Sequence, residues 1–101
     1  MRAKGYEIIK TRYKCAFGEI DIIAKYNGIL VFAEVKLRKT PAAGYGAEAV
    51  TKKKQRAIIK TALHFITYVG EPCDSYRFDV LDIFGREHYE VNHIENAFYA
   101  E

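Results

Sequence analysis

The chain has 101 residues, of which 50% are hydrophobic, 14% aromatic and 29% charged. This length provides one domain with one core and excludes two-domain enzymes. The longest uncharged stretch, residues 61–70, is about half as long as a membrane span, and residues 1–10 lack the apolar core of a secretion signal. We therefore expect a single domain over residues 1–101 that is cytoplasmic and does not enter a membrane.

The formal net charge of +3 conceals two unlike halves of the chain. Residues 1–60 carry 14 Lys and Arg against 5 Asp and Glu, whereas residues 61–101 carry 2 against 8. A basic segment of this kind indicates a polyanionic partner such as nucleic acid. Folding could instead mix the charges into an ordinary soluble surface, so charge alone leaves both interpretations open.

Hydrophobic periodicity and turn residues predict five strands and one helix in the order βββαββ. The predicted elements are strands over 6–13, 18–25 and 29–38, a helix from Thr51 as N-cap to residue 69, and strands over 76–84 and 88–91. Residues 92–101 are expected to form a short turn or helix.

These elements predict an α/β (α+β) fold with a mixed sheet and one main helix. The first three strands can form an antiparallel meander, because Asn27-Gly28 is typical of a type I′ hairpin turn. The helix allows the third and fourth strands to lie parallel through a right-handed crossover.

The predicted turn also fixes the register of the second and third strands, since Tyr26 would face Ile29 and each further pair follows. One face is expected to be the core face and carries the pairs Ala24–Val31, Ile22–Ala33 and Ile20–Val35. The opposite face carries the pairs Lys25–Leu30, Ile23–Phe32, Asp21–Glu34 and Glu19–Lys36.

Asp21 and Glu34 are thus predicted to oppose one another as like charges. Their Cβ atoms would lie about 4.5–5.5 Å apart, which destabilises a sheet unless positive charge is near. Lys36 supplies part of that charge, and Mg²⁺ between the carboxylates would supply more, because it binds a few carboxylates and keeps waters. A solvated hairpin end explains the same pattern without a metal, so the residues alone leave both interpretations open.

Five segments of the chain together resemble the uncharacterised bacterial YraN-like family. They are GEIDIIA (18–24), VFAEVKLR (31–38), AVTKKKQ (49–55), RFDV (77–80) and HIENAF (93–98). The family is similar to the restriction-endonuclease-like (PD-(D/E)xK-type) nucleases, in which an acidic residue on one strand and ExK on the next bind Mg²⁺ and hydrolyse phosphodiesters. The resemblance implies a restriction-endonuclease-like core that here lacks the usual first helix, whose glutamate can complete the acidic site.

The resemblance also implies roles for individual residues. Asp21 and Glu34 would bind Mg²⁺ or Mn²⁺, with Glu19 as a substitute for the missing glutamate. Lys36 would orient the attacking water or stabilise developing charge. Gln55 would contact phosphate or water, although a helix-capping or packing role fits it equally well.

Cations in the first turn of the predicted helix point to a phosphate contact. Lys52, Lys53 and Lys54 oppose the helix macrodipole there, which costs about 0.3–1 kcal/mol each, so helix stability does not explain them. A DNA backbone at that helix end would meet free amide groups as well as ammonium groups. Arg38 is expected to join this surface, and a hydrophilic helix start with splayed lysines is the alternative.

The expected function is therefore a Mg²⁺-dependent endonuclease acting on structured or branched DNA. Symmetric cutting of two strands would favour a homodimer. Two alternatives stay open, namely a non-catalytic DNA- or RNA-binding module with a decayed site, and a protein-interaction adaptor that uses an exposed sheet edge.

Overall fold

A computed structural model of the protein describes residues 4–38 and 50–100. It contains a five-stranded sheet and one helix in the predicted order βββαββ, which confirms the α+β fold class. The elements are β1 (Glu7–Cys15), β2 (Gly18–Tyr26), β3 (Ile29–Arg38), α1 (Lys52–Tyr68), β4 (Ser75–Gly85) and β5 (Tyr89–Phe98). Within the described ranges, no helix has the length and apolar character needed to span a membrane.

The sheet has the predicted mixed topology. Strands follow one another in space as they do in sequence, β1 to β3 antiparallel, β3 and β4 parallel, and β5 antiparallel to β4. The β2–β3 hairpin also has its predicted register, from Tyr26 opposite Ile29 to Ile22 opposite Ala33. Asn27 and Gly28 have φ of 49° and 78°, the left-handed values that a type I′ turn requires.

Over the paired part of the hairpin, the larger core lies on the face opposite to the predicted one, whereas Ile20, which was predicted to face the core, does belong to the main cluster. Ile23, Leu30 and Phe32 pack with Phe65 of α1 in the main cluster. Ala24 and Val31, on the predicted core face, belong to a smaller cluster with Tyr6. Alternation marked both faces as apolar but could not show which one the helix covers, since a central strand is buried on both sides. The bulkier side chains are those under α1.

The end of the chain also differs from the prediction, because residues 92–98 continue β5 instead of forming a turn or helix. Phe98 lies opposite Phe78 in the ladder, and their rings stack with centroids 5.1 Å apart. The β4–β5 register shifts between Phe78 and Val80, and Asn96 has a φ of 51°. This irregularity interrupts the alternation that would have revealed the strand from sequence.

Candidate active site

The candidate site begins where β2 and β3 separate. Their ladder ends at Ile22 opposite Ala33. One residue further, Oδ2 of Asp21 accepts a hydrogen bond of 2.8 Å from the backbone N–H of Val35. Asp21 and Glu34 are therefore not the regular ladder pair that was predicted. Instead, the Asp21 side chain binds the backbone of β3. The Asp21 carboxylate is held in place by that bond.

Glu34 lies beside this carboxylate and is buried, with only 8% of its surface exposed. Burial is the main cause that raises its pKa from 4.5 to about 7, and the hydrogen-bonding contact and negative charge of Asp21 add to it. Lys54 and Lys36 act in the opposite direction. Oε2 of Glu34 is buried and accepts no hydrogen bond from the described part of the chain. The site thus concentrates negative charge that its neighbours only partly compensate.

The helix brings one cation to the carboxylates. Thr51 is the N-cap of α1, as predicted, and its Oγ1 accepts a hydrogen bond of 3.2 Å from the N–H of Lys54. The cap fixes the first helical turn, and Nζ of Lys54 lies 3.6 Å from Oε2 of Glu34. Lys36 follows Glu34 by two residues and shares its side of β3.

Gln55 is buried at the start of α1, and its Nε2 donates a hydrogen bond of 2.9 Å to the carbonyl of Val50. This is the packing role that the sequence left open. The side chain also lines a surface pocket next to the first helical turn. A contact between Gln55 and phosphate or water stays a prediction.

The residues predicted to bind nucleic acid have different surroundings. Lys52 and Lys53 are exposed at the helix start, where a phosphate could reach them. Arg38 is only partly exposed, and its Nε lies 3.6 Å from Oδ1 of the buried Asp82 on β4. Arg38 therefore neutralises a carboxylate of the protein, and its contact with nucleic acid stays a prediction.

Glu19 has a different neighbour from the predicted one. It lies opposite Lys14 of β1, not opposite Lys36, and its Oε2 is 3.4 Å from Nζ of Lys14 on the surface. The prediction considered only the β2–β3 hairpin, whereas β2 pairs with β1 over this part of its length. Within residues 4–38 and 50–100, no three His, Cys, Asp or Glu side chains form a group able to hold a metal ion.

The two remaining carboxylates still fit Mg²⁺. This ion binds proteins through one or two carboxylates and fills its other positions with waters and substrate phosphate oxygens. Asp21 and Glu34 supply two such groups, and the Glu34 oxygen that accepts no hydrogen bond has the chemistry of a ligand for a hard cation. Mn²⁺ takes the same oxygen donors.

A second buried polar cluster, which the sequence analysis missed, lies on the other face of the sheet. Asp79 is fully buried and accepts two hydrogen bonds of 2.8 Å from Arg77 and one of 2.6 Å from Nε2 of His93. Burial tends to raise the pKa of Asp79, but the bonds from His93 and Arg77 outweigh it and hold that pKa below its usual value. Arg77 also donates to the hydroxyl of Tyr6. The cluster links β5 and Tyr6, the residue before β1, to β4. Its only signal in the sequence was the alternation of Arg77 and Asp79 within RFDV.

Comparisons with known proteins give a family. The sequence profile described as "Uncharacterised protein family UPF0102" matches residues 1–83. A UPF0102 protein of Caldicellulosiruptor bescii is 46% identical over 98 residues, which cover 93% of this chain and 82% of the relative. One of a Sulfurihydrogenibium species is 43% identical over 97 residues (96% and 82%), and one of Chlorobium chlorochromatii is 37% identical over 108 (100% and 83%). These matches confirm the resemblance to the YraN-like family.

Proposed function

We propose that this chain, which belongs to the uncharacterised protein family UPF0102, is a Mg²⁺-dependent endonuclease that hydrolyses phosphodiester bonds in structured or branched DNA. One observation carries the proposal. Asp21 and Glu34 lie in contact, and one buried Glu34 oxygen accepts no hydrogen bond, beside a cation of α1. A cytoplasmic enzyme of this class would meet its DNA substrate directly.

The carboxylates are the ligands in this proposal. Asp21 and Glu34 would hold the ion, and the Val35 N–H would keep the Asp21 carboxylate oriented toward it. When bound, Mg²⁺ supplies a Lewis acid for a phosphate oxygen and a bound water of lowered pKa. The protein would contribute two carboxylates that lie close together, and their combined negative charge would bind the ion more strongly than an isolated surface carboxylate does.

The two lysines near the carboxylates would act on the phosphate and the water. Lys54 holds Glu34 at 3.6 Å, and once Glu34 serves as a ligand the ammonium group of Lys54 is free to turn to the scissile phosphate. Lys36 is on the same side of β3 as Glu34 and would orient the attacking water or stabilise the charge that develops on the phosphate.

The start of α1 would hold the DNA backbone. Lys52 and Lys53 are exposed there, and the free N–H groups of a helix N-terminus favour an anionic phosphate. Gln55 is anchored to the carbonyl of Val50, and in this proposal its side chain would contact water or phosphate. Symmetric cutting of both strands would require two copies of the chain on one DNA molecule.

One observation favours a second candidate, a nucleic-acid-binding module without catalysis. The described residues hold no acidic group of three members, and Glu19 is paired with Lys14. Such a module would bind DNA or RNA through the cations of α1 and would leave the phosphodiester intact. Its binding would weaken steeply with salt and would not need a divalent ion.

A cleavage assay separates the two candidates. A labelled four-way junction, a flap and a linear duplex of equal length are incubated with Mg²⁺, Mn²⁺ or EDTA. We expect cleavage of the branched substrates with either metal, none in EDTA, and a loss of at least about 100-fold in Asp21→Asn and Lys36→Met, the scale of one lost electrostatic contact in a transition state.

The matched control is Lys14→Met, which removes an exposed lysine paired with Glu19 on the neighbouring strand. This variant should cleave at the wild-type rate. Salt-sensitive binding of the junction without cleavage under any metal condition would instead establish the non-catalytic module. Cleavage that persists in Asp21→Asn would assign the activity to other residues.

A further inference from the structure

A surface pocket adjoins the candidate active site along α1. Its volume is about 300 Å³, at the lower end of the range for small-molecule sites. The residues that line it are Lys52, Gln55, Arg56, Ile59, Lys60 and Tyr99. The proposed nuclease chemistry uses none of Arg56, Lys60 and Tyr99.

The pocket is strongly basic. Lys52, Arg56 and Lys60 are four residues apart, so they lie on one side of the helix, and all three are exposed. Among the residues that the structure describes, no carboxylate lines the pocket, and none of the three cations forms an ion pair with an acidic residue. Three like charges along one helix face repel one another, and an anionic ligand in the pocket would relieve that repulsion.

An aromatic ring also lines the pocket. Tyr99 follows the last residue of β5 and is 69% exposed, although its neighbour Phe98 is only 3% exposed. The stacking of Phe98 on Phe78 fixes the backbone at this point. Tyr99 therefore presents an exposed ring from an ordered backbone, next to Ile59 in the pocket lining. An exposed aromatic ring of this kind can stack against a nucleic-acid base.

We infer that this pocket binds an unpaired nucleotide of the substrate, with the base stacked on Tyr99 and the flanking phosphates bound by Lys52, Arg56 and Lys60. The inference rests on the proposed function for its place in the reaction. Lys54 contacts Glu34 while the next residue, Gln55, lines the pocket, so the nucleotide would lie beside the scissile phosphate. The substrate class is then DNA with a single-stranded segment next to the cut, because paired bases in a duplex cannot stack on a side chain.

Binding without metal tests the inference independently of cleavage. Fluorescence anisotropy in EDTA compares a labelled oligothymidine of 12 nucleotides with a labelled, blunt-ended linear duplex of 12 base pairs. We expect Tyr99→Leu to weaken binding of the single strand by about 5- to 150-fold, as loss of one stacked base does, and to change duplex binding by less than about twofold. Tyr99→Phe keeps the ring and should bind the single strand as the wild type does.

Two further variants complete the experiment. Tyr89→Leu removes another exposed tyrosine, from the start of β5, and should change neither affinity. Arg56→Gln should weaken both complexes and reduce the slope of log K against log salt for the single strand by about 0.7, the value for one phosphate contact.

The inference is overturned if Tyr99→Leu weakens single-strand and duplex binding equally, or changes neither. The two proposals can fail separately. Tyr99-dependent binding without any metal-dependent cleavage would reject the nuclease and keep the nucleotide site. Cleavage with no effect of Tyr99→Leu on binding would do the reverse.

Discussion

Replacement of Glu34 by glutamine removes one negative charge from the carboxylate pair and leaves the side-chain shape nearly unchanged. Its pKa of about 7 in the folded protein, against 4.5 for an ordinary glutamate, measures the cost of that charge. Each unit of pKa is worth about 1.4 kcal/mol, so ionised Glu34 destabilises the folded state by about 3 kcal/mol at high pH. The groups that face it are Asp21, which raises the cost, and Lys54 and Lys36, which reduce it.

The sign of the pH dependence follows from the direction of the shift. Below the unfolded pKa of 4.5, Glu34 is protonated in both the folded and the unfolded state and does not reduce the free energy of unfolding. As the pH rises through about 7, the pKa in the folded protein, Glu34 ionises there too and the stability that depended on its protonated form is lost. Glutamine does not titrate. We therefore expect Glu34→Gln to be more stable than the wild type by less than about 1 kcal/mol at pH 5 and by about 3 kcal/mol at pH 8.5 in EDTA.

Urea unfolding at pH 5 and pH 8.5 measures this difference, provided that the m-values of the two proteins agree. Titrating groups that do not interact with Glu34 cancel because both proteins contain them. The control is Glu71→Gln, which breaks the ion pair of 3.3 Å with Lys25 and should cost about 0–1 kcal/mol at both pH values. A stability gap between Glu34→Gln and wild type that is the same at pH 5 and pH 8.5 would refute the idea of a crowded carboxylate pair.

Four other changes test the fold that supports the site. Asp79→Ala should destabilise by about 3–5 kcal/mol in urea unfolding, because it leaves Arg77 buried without its carboxylate. The lowered pKa of Asp79 predicts that its ionised carboxylate stabilises the fold fully above about pH 4 and that this stabilisation is lost as the pH falls further. Acid unfolding should therefore begin at a higher pH in a His93→Ala variant, which lacks the 2.6 Å bond between His93 and Asp79. Thr51→Ala should cost about 1 kcal/mol through loss of the helix cap, and helix circular dichroism at partial denaturation should decrease with it. Phe65→Ala should cost about 3–5 kcal/mol in the same unfolding assay, because its ring is fully buried between α1 and the sheet.

The parts of the fold that local signals determine were predictable from sequence. The Asn27-Gly28 turn fixed the hairpin register, and Thr51 marked the start of α1. Which face of the hairpin the helix covers was not predictable, because apolar residues alternate on both faces. The strand through Phe98 was missed because a left-handed Asn96 interrupts its alternation.

The candidate site was predictable in its residues and only partly in its geometry. Asp21 and Glu34 do come together, but Asp21 binds the N–H of Val35 where a regular ladder pair was expected. That detail depends on where two strands separate, which side-chain alternation does not encode. Glu19 was misplaced because each residue of a central strand has two neighbours, and the hairpin turn gives the register toward only one of them. Tyr99 had no signal, since its place beside α1 depends on the path of β5.

Calorimetric titration of Mn²⁺ at pH 8 tests the central claim most directly, that Asp21 and Glu34 together hold a divalent ion. We predict binding of one ion per chain by the wild type and by Glu71→Gln, and loss of that binding in both Asp21→Asn and Glu34→Gln. A wild-type protein that gives no heat of binding, or a pair of site variants that bind Mn²⁺ as the wild type does, would contradict the claim.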